Sequence, residues 1–524
     1  RAGRSIRKNK AFYIISIILT ALTSMVIVAA VSTGHTLTDV VKNFVDDYKA
    51  EDAEFVTYKP LTDEDIENLE NEYDVIIEYS RYKDISVKNG DLEGTTVRIF
   101  DMPEKLNLCE VRDGSKPKDG EALLTQDFAD VHAIKVGDNV SLGAYSYKIS
   151  AYTTKADYIY MLEKLTGYID NKKFAVMVVN SNEYDKLDVD ENGYYSIKYN
   201  KDNSKEVRGK LNQDYVIASY LAATSNTRIS MPVNEGDAVT NMAMMYAPVM
   251  FIIIITLIVM ILGRNIRNEQ YLLGTFLALG FSRKQIVSHY MRYGLIPGLI
   301  GSVIGIGCSV PLTKVLCKFY IEYDFEKLTY TVNYNIPSII VALVVPTVLY
   351  CAAIAIQAAK LLKKSPVDLL RNTGKDTKTI GIMKNSHAKT QLKMRVRSVI
   401  GHPGRSIVTM FGVMVASFCI LTGLIMNDSM DSLLHGGLTS SIKYDYLYRL
   451  KSLEEGTPDK GEALFQNYYE VDGSTVQLSA QGISEDSKYF PDKTDSGDKL
   501  ELDKYYLTSA AAQTYGVKAG DELT

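Results

Sequence analysis

RNIRNEQYLLGTFLALGFSRKQIVSHY, Arg264 to Tyr290, is a charged, amphipathic stretch set between two apolar runs. Before it stands APVMFIIIITLIVMIL (Ala247–Leu262); after it stands GLIPGLIGSVIGIGCSVPL (Gly294–Leu312). Turning a chain back at a membrane surface takes only a few polar residues, so this stretch is far longer than a turn requires. Leu272, Leu273, Phe276 and Leu279 recur at helical spacing. That pattern predicts a helix with an apolar face to offer a partner. The same charges also suit a helix lying on the inner leaflet, held by Arg264, Arg267, Arg283 and Lys284.

Working outward, five segments are long and apolar enough to cross a hydrocarbon core, which takes roughly 20 residues. They are about Ala11–Ser32, Ala243–Leu262, Gly294–Leu316, Ile336–Ala359 and Ile407–Met426. The first is too long for a signal-peptide core and is followed by no small-residue cleavage site. The third carries five glycines, Pro297, Pro311 and Lys314. Such residues are tolerated in a membrane helix when neighbouring helices cover the freed backbone.

Positive charge sets the expected orientation. Arg1, Arg4, Arg7, Lys8 and Lys10 precede the first span, and Lys360–Arg405 holds twelve Lys or Arg. The loop FYIEYDFEK after span three is acidic on balance. The N-terminus, 264–290 and 360–405 are therefore expected inside, and 34–242, 319–335 and the chain after 427 outside. The formal charge of −5 averages a basic inner side and an acidic outer side, and carries no message about nucleic acid.

The 524 residues are 46% hydrophobic and 23% charged, too apolar for a plain soluble globule and too polar for a pure membrane bundle. Residues 34–242 suffice for one or two subdomains, since domains usually run ~50–200 residues. LTDEDIENLENEY after Pro60 is expected to be a helix capped by Thr62, and YDVIIEYSRYKDISV a strand. NSKEVRGKLNQDY then reads as a helix and VIASYLA as a strand, which suggests small mixed α/β layers. Residues 34–50 read as a helix continuing span one as a stalk. Four of the five cysteines lie in or beside spans, so Cys109 has no local partner and no disulfide framework exists.

An internal repeat is the second signal. LTQDFADVHAIKVGD (Leu124–Asp138) and LTSAAAQTYGVKAGD (Leu507–Asp521) match at six of fifteen positions, ending on K-x-G-D. NKAFYI before span one parallels HPGRSI (His402–Ile407) before span five. The order predicts one complete unit followed by the start of a second, with further spans expected after Thr524. A start at Arg1 rather than Met predicts truncation there too.

This order, with Glu269, LLGTFLALGFSRKQI (Leu272–Ile286), a Gly-rich start to span three and AAKLLKKSPVDLLR (Ala358–Arg371), resembles the FtsX-like permease family of ABC transporters. The likeness is to the MacB and LolC type in duplicated form. The family's G-x-x-x-A-L-G-x-S-x-x-x-I loop reads here as Gly274, Ala278, Leu279, Gly280, Ser282 and Ile286, and its closing motif as Lys363, Pro366 and Leu370–Arg371. EALLT…A…IKVGD (Glu121–Asp138) is similar to the family's outer domain. The resemblance implies a polytopic α-helical membrane protein with mixed α/β extracytoplasmic domains, in two tandem units of which the second is incomplete. Residues 1–33 would hold span one, and 34–242 a MacB-like extracytoplasmic domain. Residues 243–372 would form an FtsX-like core with spans two to four and a coupling segment at 264–290. Residues 373–405 would be a linker, 406–427 span five and 428–524 a partial second extracytoplasmic domain.

The resemblance also implies that the coupling segment docks on an ABC ATPase subunit, in two copies, through Glu269, Leu272, Gly274, Ala278, Leu279, Gly280, Phe281, Ser282 and Ile286. Glu269 would meet a basic residue there, with a solvated charge as the alternative; Gly280 would allow close approach or cap a helix. Gly294/Gly298 and Gly301/Gly305 form two G-x-x-x-G pairs for helix packing. No phosphate loop, H-E-x-x-H, nucleophile elbow or metal spacing is present in the sequence, so no catalytic or metal residue and no cofactor of its own is expected. ATP and Mg would be bound by the partner. The expected role is a non-enzymatic permease subunit in a plasma membrane, Gram-positive in composition, contacting lipid and an extracytoplasmic substrate or accessory protein. That substrate would be an antimicrobial peptide, lipid or lipoprotein. A regulator of a cell-wall hydrolase and a ligand-binding receptor are the alternatives.

Overall fold

The computed structural model describes residues 10–165, 169–323, 325–370, 403–432 and, with short interruptions, 443–523. The basic start Arg1–Lys8 and the linker 371–402, which carry much of the expected orientation signal, lie outside the described residues. The chain divides into two compact units. A helical unit draws on residues 1–36, 236–318 and 331–430; a sheet unit draws on 37–235, 319–330 and 431–524.

The chain opens with a 38-residue helix, α1 (Lys10–Asp47), so the helix expected after span one is continuous with it. There follow β1 (Ala53–Thr57), α2 (Asp63–Tyr73) and β2 (Val75–Ser86). Thr62 starts α2 with a reciprocal cap. Its hydroxyl accepts from Asp65 N at 3.2 Å, and the Asp65 carboxylate accepts from Thr62 N at 2.9 Å. Next come β3 (Thr96–Asp101), β4 (Cys109–Arg112), β5 (Glu121–Thr125), α3 (Gln126–Val131), β6 (Asn139–Leu142), β7 (Tyr145–Lys155) and β8 (Phe174–Val179). The run closes with α4 (Ser181–Asp185), β9 (Glu191–Tyr199), α5 (Ser204–Tyr215) and β10 (Ile217–Ala222).

These ten strands make one sheet in the order β10-β1-β9-β2-β3-β8-β5-β7-β4, with β6 on β7. Separate small layers are replaced by one sheet because β2 is long enough to serve both halves. Its residues Val75–Lys83 pair with β9 and Tyr82–Ser86 pair with β3. Over one half, α2 and α5 cover Phe55, Ile77, Ile197 and Tyr220 with Leu69, Val207 and Leu211. Over the other, Phe128 of α3 and Tyr184 of α4 close a core containing Ile99, Leu124, Ile149 and Met177. Strand β8, FAVMVV, is buried at every position, as a continuous apolar run demands when both faces are covered.

Charge is buried in this unit as well. Lys155 and Asp157 have side chains only 1% and 0% exposed and pair at 2.6 Å. Asp157 also accepts from the Tyr194 hydroxyl, and the Lys155 ammonium lies 4.5 Å from the Phe100 ring centre. Beside them Glu51 accepts from Asn107 Nδ2 at 2.8 Å and donates its backbone N–H to Asn107 Oδ1 at 2.9 Å. Burial, reinforced by Glu54 and Asp157, pushes the Glu51 carboxyl up to about 8. Burial likewise pushes the Cys109 thiol up to about 12.

The helical part continues with α6 (Thr227–Asn268), α7 (Gln270–Ala278), α8 (Arg283–Tyr323), α9 (Ile336–Leu362), α10 (Pro366–Leu370) and α11 (Pro403–Ser432). Among the described residues, four helices are long and apolar enough to cross a membrane. They are Tyr13–Asp47, Arg283–Glu322, Ile336–Leu362 and Gly412–Ser429, which overlap expected spans one, three, four and five. The second expected span falls inside α6. Pro297 and Pro311 lie within α8 and Pro346 within α9 without ending either helix. The chain closes on the hairpin β11 (Phe465–Tyr469) and β12 (Leu478–Gly482) and the short helix α12 (Ser509–Tyr515).

Both K-x-G-D stretches adopt the same turn. Asp138 N donates to Lys135 O and Lys135 N to Asp138 Oδ2, at 3.0 and 2.8 Å. Asp521 and Lys518 repeat both bonds at 3.0 and 2.8 Å. Gly137 and Gly520 sit at φ +99° and +96°, a region open to Gly and strained for other residues.

Candidate docking site

The 264–290 stretch is not one helix. It comprises the end of α6, the short α7 and the start of α8, and both breaks are written locally. Leu279 ends α7 and Gly280 follows at φ +87°. Gly280 N donates to Leu277 O and Phe281 N to Phe276 O, each at 3.1 Å. This is a Schellman stop, and the Phe276 and Phe281 rings meet across it edge to face at 5.7 Å. One residue later α8 begins on a capping box. Gln285 N donates to Ser282 Oγ at 3.3 Å, and Ser282 N donates to Gln285 Oε1 at 3.0 Å. The family-like L-G-F-S-x-x-Q-I run is thus a helix stop and a helix start placed back to back.

The turn has two faces. On the inner one Leu273 is fully buried and joins Tyr13, Ile286, Tyr290, Tyr350, Ile354 and Leu369 in one core. Gly274 lets α7 approach α10 closely, because an added Cβ would stand 3.0 Å from Leu369 Cβ and 3.1 Å from Leu370 Cγ. On the outer face Tyr271, Leu272, Leu279 and Phe281 are 64%, 41%, 69% and 50% exposed. Ala278, Gly280 and Ser282 are exposed beside them.

The nine residues expected to dock therefore divide. Leu272, Ala278, Leu279, Gly280, Phe281 and Ser282 share the exposed side, whereas Gly274 and Ile286 pack inward. Ile286 is one turn into α8, on the side that meets the core, so its apolar side chain serves packing rather than the surface. Glu269 is half-buried and accepts from the Tyr290 hydroxyl at 2.7 Å, a bond within the chain that ties the start of α7 to α8. Of the motif residues on the closing side, Pro366 starts α10 and Arg371 lies outside the described residues.

The four span-three glycines face two different neighbours. Added Cβ atoms at Gly294 and Gly298 would come within 2.6 Å of Ile354 Cδ1 and 2.8 Å of Thr347 Cα, both on α9. At Gly301 the Cβ would stand 2.7 Å from Thr20 Cβ, and at Gly305 it would collide with the Ala21 carbonyl, both on α1. The first pair seats α9 and the second seats α1, about two helical turns further along.

Sequence reading overlooked what fills the α1 side of that seam. Ser16, Thr20, Thr23 and Ser24 are all buried there. Thr20 Oγ1, the Tyr350 hydroxyl and the Ser16 carbonyl form a triangle with sides of 2.8, 3.0 and 3.1 Å. The Ser24 hydroxyl donates to Ala342 O at 3.0 Å. The available signal was the three- and four-residue spacing of hydroxyls inside an apolar span. Small and hydroxyl side chains at that spacing mark helix contacts in lipid.

No curated protein matches the chain. Residues 244–366 match the family described as FtsX-like permease C-terminal. The matched residues run from the middle of α6 through the docking turn and the glycine seam to the first residue of α10. With the long apolar helices, that match supports a multi-pass membrane protein with an ABC-transporter permease-type role.

Proposed function

We propose that this chain is the permease subunit on which two ABC ATPases dock through the exposed side of the 270–282 turn, in a plasma membrane with its N-terminus inside. The FtsX-like family generally works with an ABC ATPase partner, which makes a nucleotide-driven input the natural reading of an exposed apolar turn. Leu279 and Phe281 carry the proposal. Both are half or more exposed, yet they stand on a backbone held by a Schellman stop, a capping box and a buried inner face. Large apolar groups displayed on a pre-organised turn lose little entropy on docking, which is the economical way to build an interface anchor.

In this reading, closure of the ATPases pushes on α7, and the push passes through Leu273 and the Glu269–Tyr290 bond into α8. The sheet unit, placed on the extracytoplasmic side, rearranges in response and expels or releases a substrate of the antimicrobial peptide, lipid or lipoprotein class. The matching K-x-G-D turns support reading the chain as two tandem units of the MacB-like kind.

The test is a detergent pull-down of the protein from its native membranes, with ATPase activity assayed on the eluate. The wild type should bring down a stoichiometric ATPase, and Leu279→Asp should lose it at unchanged yield and melting temperature. A Leu279→Asp protein that retains the ATPase sinks the docking site. A wild type with no nucleotide-binding partner sinks the reading as a whole and returns the segment to a membrane-surface helix.

A further inference from the structure

Residues 319–330, the last turn of α8 and the first part of its connection to α9, belong to the sheet unit. Phe325 and Leu328 are buried there, Lys327 O accepts from Thr154 Oγ1, and one acidic residue is buried between them. Glu326 is 1% exposed. Its backbone N–H donates to Ile159 O at 2.8 Å. Its Oε1 accepts from Gln126 N and Asp127 N, at 2.5 and 3.1 Å, which are the first two amides of α3. The first turn of a helix leaves such amides without intrahelical partners. Elsewhere in this chain a threonine serves them, since Thr508, the counterpart of Thr125 in the repeat, accepts from Ala511 N at 3.2 Å. Thr125 makes no such bond, because its hydroxyl instead accepts from Val176 N of β8 at 3.3 Å. The cap of α3 has passed to a carboxyl group two hundred residues further along the chain.

The surroundings of that carboxyl are short of positive charge. Asp127 of α3 faces it and is itself 7% exposed. Arg112 of β4 comes no nearer than 4.0 Å, and its Nη1 is engaged by Glu110 and by Thr154 Oγ1. Lys327, next in the segment, pairs with Asp130 of α3, and Glu322 at the end of α8 adds a further negative charge. Glu326 Oε2, Asp127 Oδ2 and Arg112 Nη2 have no hydrogen-bond partner among the described residues. Among the described residues Glu326, Asp127, Glu110 and Asp130 thus face Arg112 and Lys327 in a largely buried setting, where two facing anions are costly.

We propose that Glu326 and Asp127 hold one proton between them, and that this proton latches the 319–330 segment to the sheet unit, so that the latch opens as the surrounding pH rises. Glu326 stays bonded to the α3 amides through Oε1 in either state; the proton removes one of the two facing charges. Burial first, and the opposing Asp127 second, push Glu326 up to about 8. Burial pushes Asp127 up to about 6, with Lys327 pulling the other way. For a carboxyl whose folded value lies above its unfolded one, the stabilisation is complete at low pH. It is lost as pH climbs from the ordinary carboxylate range through about 8. The proposal needs no ATPase, so it stands or falls separately from the docking reading.

Backbone hydrogen exchange of the full chain in detergent, from pH 6 to 9 with labelling times scaled to intrinsic exchange, tests it. In the wild type, peptides covering 319–330 and 124–131 should lose protection together between pH 6 and 8, approaching tenfold per pH unit, and level off above about 8. The α2 peptide, 62–73, should hold steady. Glu326→Gln keeps the amide-accepting oxygen without the charge and should stay protected throughout. Asp127→Asn should do the same if the glutamine variant does not fold. Flat wild-type protection, variants that fall in parallel with the wild type, or an equal loss at α2 would each overturn the latch.

Discussion

Gly280 and Gly274 lie in one turn and are needed for opposite reasons. At Gly280 an added Cβ would meet nothing within 4 Å, but the backbone is left-handed. The cost of substitution is therefore conformational, about 1–2 kcal/mol for an L-residue. At Gly274 the backbone is ordinary helix and the constraint is space, since a Cβ would also stand 3.3 Å from Leu370 N. Gly280→Ala is expected to lower stability by about 1–2 kcal/mol and to loosen the Leu279–Phe281 display. Gly280→Asn should recover part of the loss, because Asn enters the left-handed region more readily. Thermal denaturation of both variants, alongside the pull-down, checks this. If Gly280→Ala melts with the wild type, the Schellman stop does not hold the turn.

At the scale of elements, α8 meets α9 and α1 through close backbone contact at four glycines. Lipid tails are as apolar as leucine, so helix association in a membrane rests on van der Waals fit and on interhelical hydrogen bonds. The Gly301/Gly305 seam supplies the close fit, and the Thr20 and Ser24 hydroxyls of α1 bond across to the Tyr350 hydroxyl and Ala342 O of α9. Gly305→Ala would force α8 away from the Ala21 carbonyl and should cost about 1–3 kcal/mol, as overpacking of a tight contact does. Gly307 lies half a turn further on, with nothing within 4 Å of an added Cβ. Gly307→Ala should therefore be neutral or slightly stabilising, since Ala is the better helix former. Melting temperatures of the two variants in one detergent give the comparison, and equal values would remove the packing role of Gly305.

Across the whole sheet unit, stability is expected to depend on pH in the direction opposite to that of salt-bridged acids. Glu51, like Glu326, is fully buried with its carboxyl pushed up to about 8. Glu51 Oε1 has no hydrogen-bond partner among the described residues, and Glu54 and Asp157 oppose its ionisation. Neutral Glu51 therefore favours folding at low pH, and that contribution is lost as pH rises from the ordinary carboxylate range through about 8. The melting temperature of the sheet unit should fall between pH 6 and 9, by an energy on the order of a few kcal/mol. Glu51→Gln should flatten part of that fall while preserving the bonds to Asn107. A wild-type melting temperature that rises over this interval would mean that Glu51 is ionised throughout.

Much of this protein was legible along the chain because the physics concerned is local. A span is a run of apolar residues, Thr62 and Asp65 are three apart, and Ser282 and Gln285 repeat that spacing at the start of α8. Mixed strands and helices in 53–222 announced themselves in the same way, as did the stretch that offers Leu279 and Phe281. Tertiary structure alone decided which side of that stretch is free. Ile286 and Gly274 look as exposed in the sequence as Leu279 does, until α9 and α10 cover them. It also decided that Glu269 answers to Tyr290, that β2 joins two halves into one sheet, and that Glu51, Lys155, Asp157 and Glu326 are buried. A charged residue reads as a surface residue by default, because burial in isolation is prohibitive. What makes it tolerable is a partner such as Asp157 for Lys155, or the α3 amides for Glu326. The latter lie some two hundred residues away, where no local pattern reaches.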